Sequence, residues 1–568
     1  MFVKVCTSFL AVKQPIKSLR KQSGLSYLHK VGQEPLKPLT LGLLLEQTVQ
    51  NHGENLAVIS RHQGKRMTYL QVLQQADRLA AGLIKSGHQK GDRVGLWAPN
   101  MLEWYITNMA CARAGLIMVA INPSYRPREI EYCIKKVGIK GIICGHKFKN
   151  QDYYELLKMI SPELSNSEPG KLKCKNLPSL KNVVTIADES LRGTYNYNDI
   201  LDLADEESVK LIKSNQDSIK IDDPYNIQFT SGTTGHPKAV VISHFQLTNN
   251  GFFVGQRNEL DKKHQTICVQ VPLFHAFGIV ITIGASVNNA STLVLPSPEY
   301  NPNKNLDALR DERCTVIHGT PTMYVDLVNV QKKKERKKYL QKLQFLEVPL
   351  LATSVQGNSV YGMSETTAVA FQSMPNDDEN TSVTTVGHLQ EHLEAKVVDD
   401  NDRIVPLGTP GELCIRGYIS MLEYWEDQEK TKEILGSDKW LRTGDQVVLD
   451  ENGYCRIVGR LKEMIIRGGE NIFPKEIEDF LNTHPNIIET HVIGLPNERL
   501  GEEVCACVRV KENCTLTLEE LRSFCQGQIA SFKIPSALEI IESFPVTTSG
   551  KIQKFKLIEK VLSGKSKK

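Results

Sequence analysis

The chain has 568 residues, with 69 Lys plus Arg against 65 Asp plus Glu, and is 40% hydrophobic and 24% charged. At about 100 to 200 residues per domain, that is length for roughly three structural units with substantial cores. Its 39 glycines and 25 prolines follow no period, which together with the aromatic content excludes fibrous and disordered chains.

The formal charge of +4 has a location. No Asp or Glu precedes Glu34, so residues 1–33 carry +6 and the remainder −2, which leaves no basic excess for nucleic acid. An acid-free, basic, Ser-containing opening whose apolar positions are interrupted by charges predicts a mitochondrial presequence, cleaved near residue 24. A secretory signal needs a longer apolar core than MFVKVCTSFLAVK offers. An ordinary basic tail is the alternative.

From Leu39 onward, helical patterns alternate with short apolar runs. Residues 68–87 keep an apolar stripe at helical spacing, 92–98 read as a buried strand, 103–115 as a helix closed by Gly115, and 116–121 as another strand. Continuous rather than alternating apolar strands predict a largely parallel sheet covered by helices. Residues 161–181 are polar and Pro-punctuated, a surface loop, and 329–343 form a charged run read as a solvated helix face. The most apolar stretch, residues 277–287, is too short to span a bilayer, so no transmembrane segment is expected. After Gly459 the pattern changes to a small α+β unit. The 13 cysteines are scattered singly except for Cys505 and Cys507, whose i,i+2 spacing fits neither a zinc site nor a redox pair and predicts core thiols.

The strongest local signal is FTSGTTGHPKAV, residues 229–240. It fails the template GxxxxGK[ST] because two residues separate its glycines, yet glycines, hydroxyls and a lysine suit a polyphosphate; a surface loop is the bland alternative. Six further motifs follow in order: PLFHAFG (272–278), GTPTMY (319–324), YGMSETT (361–367), TGD (443–445), GRLKEMIIRGGENIFPKEIE (459–478) and PVTTSGK (545–551). With these the chain resembles the AMP-forming acyl-adenylate superfamily over about residues 37–560. Within it the likeness is to mitochondrial medium-chain acyl-CoA ligases, on SYLHK (26–30), PLFHAFG and TTSGKIQKFKL (547–557).

The resemblance implies a large α/β N-terminal body of layered, mostly parallel sheets (residues 37–459, after a leader over 1–33) and a small mobile α+β C-terminal domain (460–568). It implies ligation of a fatty acid to coenzyme A through an acyl-adenylate, with ATP and Mg²⁺, in the mitochondrial matrix. Thr230, Ser231, Gly232, Thr233, Thr234, Gly235 and Lys238 would grip the phosphates. Tyr361 would stack on adenine, Thr366 hold the α-phosphate, Glu365 serve the Mg²⁺, and Asp445 accept the ribose hydroxyls near Arg460. His275 would line the acyl channel, with a core histidine as the alternative. Lys462 would be the hinge, Gly468 and Gly469 would face the CoA pantetheine, and Lys551 would meet the carboxylate and α-phosphate, where an ammonium offsets two approaching anions. An aryl- or coumarate-type or luciferase-like ligase is the rival enzyme.

Two features depart from the pattern. Ala239 stands where the family usually has glycine, which matters only if positive φ is needed there. Only nine residues, ATSVQGNSV, separate Leu351 from Tyr361. A parallel crossover needs at least about 10 to 12. A skipped exon is the expected cause, and a catalytically inactive AMP-binding remnant is the alternative.

Overall fold

The alternation over residues 68–121 is realised as helix Tyr69–Lys85, strand Arg93–Trp97, helix Leu102–Ala114 and strand Ile117–Ala120. Thr68 starts the first helix through a capping box, its hydroxyl accepting from Gln71 N while Gln71 reaches back to the Thr68 N–H. Gly115, left-handed at φ 64°, stops the second. That second helix is buried along its whole length, which is why its sequence shows no polar stripe. Its one cation, Arg113, is met by Asp77 at 2.6 Å and Glu46 at 2.5 Å. The computed structural model describes residues 24–230, 237–333, 359–460, 463–467, 470–526, 528–529, 531–547 and 552–565.

Among the described residues, the largest sheet runs Tyr195–Asn196, Asn182–Ile186, Gly141–Gly145, Arg93–Trp97, Ile117–Ala120, Pro224–Thr230, Lys238–Ser243, Glu423–Tyr424. The first six strands are parallel, and the last two antiparallel. A second sheet orders Val316–His318, Thr266–Val269, Thr292–Leu295, Leu56–Ser60 and Lys65–Thr68, parallel except at its last pairing. Both sheets share one apolar core with the helices between them: Val58 and Leu293 from one, Met118 and Val240 from the other, Leu79 and Trp104 from the helices. The apolar stretch at 277–287 is buried here as a wide π-type helix, Phe277–Gly284, running into Ala285–Asn288. Among the described residues no helix is long and apolar enough to cross a membrane.

The third sheet departs from the expected parallel arrangement. Tyr27–Lys30, Leu393–Val398, Gly411–Gly417, Leu441–Leu449 and Cys455–Arg460 pair antiparallel throughout. Its strands alternate buried and half-exposed positions, the pattern of a sheet with one solvated face. Tyr27–Lys30 lies within the stretch grouped by charge as a basic leader, yet Leu28 is buried and the Tyr27 hydroxyl donates to Glu394 at 2.5 Å. Charge counting does not register a strand; alternation does.

The C-terminal unit pairs Ile465–Arg467, Glu470–Ile472, Ile487–Asn497, Gly501–Val510 and Ala537–Ile540 in one sheet, with helices Pro474–Leu481, Leu518–Cys525 and Lys554–Lys565. Val504, Ala506 and Val508 face one apolar cluster; Cys505 and Cys507, on the other face, pack with Leu557 and Val561. All described cysteines are free thiols, and all but Cys514 are buried.

Because Leu28 seals an edge of the third sheet, Leu28→Ala is expected to cost about 2 kcal/mol and lower the thermal midpoint of the chain. Removal of residues 1–23 is expected to leave that midpoint unchanged. Scanning fluorimetry of the two variants checks both.

Candidate active site

Thr230 and Lys238 face each other as the last register pair of two antiparallel strands, so the Thr/Gly segment is the loop of a β-hairpin. Ser231, Gly232, Thr233, Thr234 and Gly235 lie outside the described residues; their two flanks do not. Lys238 Nζ sits 4.6 Å over the ring of Tyr424 and donates to its hydroxyl at 3.4 Å. Ala239 is an ordinary buried strand residue packed with Ile227 and Val241, and has no positive φ. The departure from glycine is therefore no strain in this backbone.

The YGMSETT segment starts as strand Val360–Tyr361, paired antiparallel with Phe371–Gln372, and turns at Ser364–Thr366. Gly362 is required by close approach, since a Cβ there would collide with the Ala368 carbonyl. Thr366 is fully buried, and its hydroxyl accepts from Met363 N at 2.9 Å. Thr367, left-handed at φ 48°, donates its hydroxyl to the Ile419 carbonyl at 2.7 Å. Glu365 is 6% exposed; its Oε1 accepts the Tyr424 hydroxyl at 2.8 Å, and its carbonyl accepts Met421 N at 2.8 Å. Burial and the Glu365 carboxylate hold the Tyr424 phenol far above its ordinary range, so it remains a donor.

The TGD segment lies in strand Leu441–Leu449. Thr443 Oγ1 donates to the Leu413 carbonyl at 2.8 Å and accepts from Asp445 N at 3.1 Å, while Gly444 adopts φ 70°. Asp445, 4% exposed, pairs in register with Arg460 on the neighbouring strand. The Tyr361 hydroxyl donates to Asp445 Oδ2 at 2.7 Å, and burial with this neighbouring carboxylate raises the phenol well above its usual pKa.

His275 is half-buried on the turn before the π-type helix, its Nδ1 accepting from Phe277 N at 3.2 Å. Phe274 and Phe277, its neighbours in the chain, are half-buried apolar residues against the main core, as are Val360 and Met363 on either side of Tyr361 in the chain. The structure thus brings Lys238, Glu365 and Thr366 together and joins Tyr361 to Asp445. Lys462, Gly468, Gly469 and Lys551 lie outside the described residues.

Among the described residues no group of three or more His, Cys, Asp or Glu gathers to hold a metal. Nor does any described Lys, Arg or His form an ion pair with Glu365, whose carboxylate is buried against a neutral hydroxyl. A lone buried carboxylate of this kind fits Mg²⁺, which usually takes one or two carboxylates and completes its octahedron with substrate phosphates and water. Tyr424 escaped the sequence reading. It belongs to none of the seven motifs, and its link to Glu365 spans 59 residues.

Two family models match in chain order, one described as AMP-binding enzyme over residues 45–425 and one as AMP-binding enzyme C-terminal domain over residues 476–551. The chain belongs to the AMP-binding enzyme family, and is an acid–thiol ligase that joins a carboxylic acid to coenzyme A through an acyl-adenylate at the expense of ATP. It is 40% identical over 559 residues to the mitochondrial medium-chain acyl-CoA ligase ACSF2 of Danio rerio, covering 94% of this chain and 90% of that protein. To the Homo sapiens protein of that name it is 39% identical over 564 residues, covering 95% and 90%. The fold matches that of the anthranilate CoA ligase AuaEII in complex with anthranoyl-AMP, with a TM-score of 0.78 at 23% identity over 94% of this chain and 99% of that one.

The two site glycines are expected to respond differently. Gly444→Ala enters open space and carries only the strain of a left-handed residue, about 1 kcal/mol. Gly362→Ala meets backbone and is expected to cost several times more. Denaturant midpoints of the two variants measure the contrast.

Proposed function

We propose that the protein activates medium-chain fatty acids in the mitochondrial matrix, with Mg²⁺ and ATP in the first half-reaction and coenzyme A in the second. The observation that carries this reading is the full-length likeness to mitochondrial medium-chain acyl-CoA ligases, 40% identical over 559 residues. Phe274, Phe277, Val360 and Met363, half-buried apolar residues in or next to the PLFHAFG and YGMSETT motifs, would suit an unbranched alkyl chain. The acid-free basic opening and the mitochondrial relatives support the location.

In this reading the fatty-acid carboxylate attacks the α-phosphorus of ATP, pyrophosphate leaves, and the acyl-adenylate is then cleaved by the CoA thiolate with release of AMP. Mg²⁺ held by Glu365 supplies charge neutralisation on the triphosphate. Asp445, which also accepts the Tyr361 hydroxyl, accepts the ribose hydroxyls, and Tyr361 offers its ring face to adenine. Arg460, opposite Asp445, serves the ribose and phosphates. Thr366 and the hairpin loop from Thr230 to Lys238 hold phosphate oxygens. His275 lines the channel at the carboxylate. Lys551 brings an ammonium to the two anions as they meet, and rotation about Lys462 then presents Gly468 and Gly469 to the pantetheine. No protein nucleophile is needed, since AMP is the leaving group.

Acid-dependent pyrophosphate release is expected with fatty acids of intermediate length at a kcat/KM at least about tenfold above that for benzoate or coumarate, the size of effect a well-matched apolar pocket gives. A preference for aromatic acids would replace this reading with the aryl-ligase one. ATP binding without any acyl-adenylate would instead mark an inactive remnant, the alternative raised by the nine-residue span before Tyr361.

Lys551→Ala is expected to slow adenylate formation by about a hundredfold, as loss of one electrostatic donor does, while leaving thioester formation from supplied acyl-AMP much less affected. Single-turnover assays of the two half-reactions separate these.

A further inference from the structure

We propose that Tyr424 is a positioning residue of the metal–triphosphate end of the site, setting Glu365 and Lys238 at a fixed distance from each other before nucleotide arrives. The inference rests on the reading of Glu365 as the carboxylate that serves Mg²⁺.

The residue is placed by main-chain bonds on two sides. Tyr424 lies on the short edge strand of the largest sheet, in register with Val240. Leu422 N donates to the Val241 carbonyl at 2.9 Å and Trp425 N to the Ala239 carbonyl at 2.8 Å, so this strand is stitched to the one that begins at Lys238. On the other side, Met421 N donates to the Glu365 carbonyl, and the Thr367 hydroxyl to that of Ile419. Residues 419–425 therefore bridge the base of the phosphate hairpin and the turn that carries Glu365. Thr431 Oγ1, accepting from Tyr424 N at 3.0 Å, fixes the backbone of the residue itself.

At the centre of that bridge the hydroxyl is used in both directions. It accepts from Lys238 Nζ at 3.4 Å and donates to Glu365 Oε1 at 2.8 Å, while the ring face carries the ammonium at 4.6 Å. A phenol has one proton to give and two lone pairs, and this arrangement takes the proton and one pair. It spaces an acid from a base. A lysine and a buried carboxylate with nothing between them would form a direct ion pair, each neutralising the charge the other needs for its ligand. With Tyr424 between them, the carboxylate keeps its charge for a hard cation and the ammonium keeps its charge for phosphate. Packing alone does not require this. Tyr424 is 2% exposed, and a phenylalanine ring would fill the same space.

The test uses the full chain and four variants: Tyr424→Phe, Tyr424→Leu, Glu365→Gln and the double variant Glu365→Gln/Tyr424→Phe. Thermal midpoints confirm folding, and ATP binding is titrated calorimetrically at saturating Mg²⁺, alongside acid-dependent pyrophosphate release. Tyr424→Phe removes one hydrogen bond to a charged group, so Kd and KM for ATP with Mg²⁺ are expected to rise about tenfold, kcat to fall by about threefold at most, and KM for the acid to stay unchanged. Tyr424→Leu, which also removes the spacer ring, is expected to lose more. On the Glu365→Gln background Tyr424→Phe is expected to add less than about twofold, because two residues acting through one contact are not additive.

Tyr424→Phe binding ATP as tightly as the parent, or losing the same factor on the Glu365→Gln background, overturns the inference while leaving the metal reading intact. Glu365→Gln that binds and turns over like the parent overturns the metal reading of Glu365 and this inference with it.

Discussion

Two buried carboxylates, Glu365 and Asp445, each receive a tyrosine hydroxyl, and each of these bonds joins separate elements of the fold. A carboxylate buried without donors costs several kcal/mol, and one neutralised by a fixed cation is of little use to a ligand. At Glu365 a neutral hydroxyl is the intermediate solution: it orients the group and offsets part of the desolvation without a cation. Each tyrosine must then arrive from a different element than the carboxylate it serves. Tyr424 comes from the edge of the largest sheet to the turn at 364–366, and Tyr361 from a small sheet to the third. The bonds that organise the site are also those that hold separate sheets together.

The two kinds of sheet do different work. The parallel ones bury both faces and fix the hairpin between Thr230 and Lys238 at their margin. The antiparallel third sheet has one partly solvated face, and Asp445 sits at a buried position of its alternation, next to a left-handed glycine. Its last strand ends at Arg460, opposite Asp445, and the C-terminal sheet begins at Ile465. The junction is braced nearby. Phe473 packs against Gly459, and Lys554 reaches both Glu463 at 3.3 Å and Glu478 at 2.7 Å. The helix Lys554–Lys565 that supplies these ion pairs begins three positions after Lys551.

What the sequence disclosed, and what it hid, divides along the same line. Helix Tyr69–Lys85, its cap at Thr68 and the stop at Gly115 are local, set by side chains within four residues of one another, and the pattern shows them. The hairpin at Thr230–Lys238 is likewise a contiguous motif. The antiparallel third sheet is hidden because its strands come from opposite ends of the body, residues 27–30 and 393–460, and the first lies in a stretch that charge assigns to a leader. Tyr424 is hidden because its meaning is a triad with Lys238 and Glu365, three residues drawn from segments 59 and 186 positions apart. Ala239 is the reverse case: a departure from a familiar motif that the backbone shows to be harmless, since no positive φ is needed there.

The short span before Tyr361 bears unequally on the two ends of the site. The chain re-enters the described structure at Ser359, whose N–H donates to Ser373 Oγ at 3.0 Å and whose carbonyl accepts Ser373 N at 2.9 Å. From there Gly362, the turn at 364–366 and Thr367 are held by residues 368 and 419–424, and Asp445 by Thr443 and Tyr361. None of those partners lies between Lys333 and Ser359. The Glu365 and Asp445 carboxylates thus each have a described partner outside that span, Tyr424 for one and Tyr361 for the other. Val360, the last residue of the short span, and Met363, three positions further on, are only half-buried. A change in the length of chain that leads into them therefore bears on these two residues before it reaches Glu365 or Asp445 along the chain.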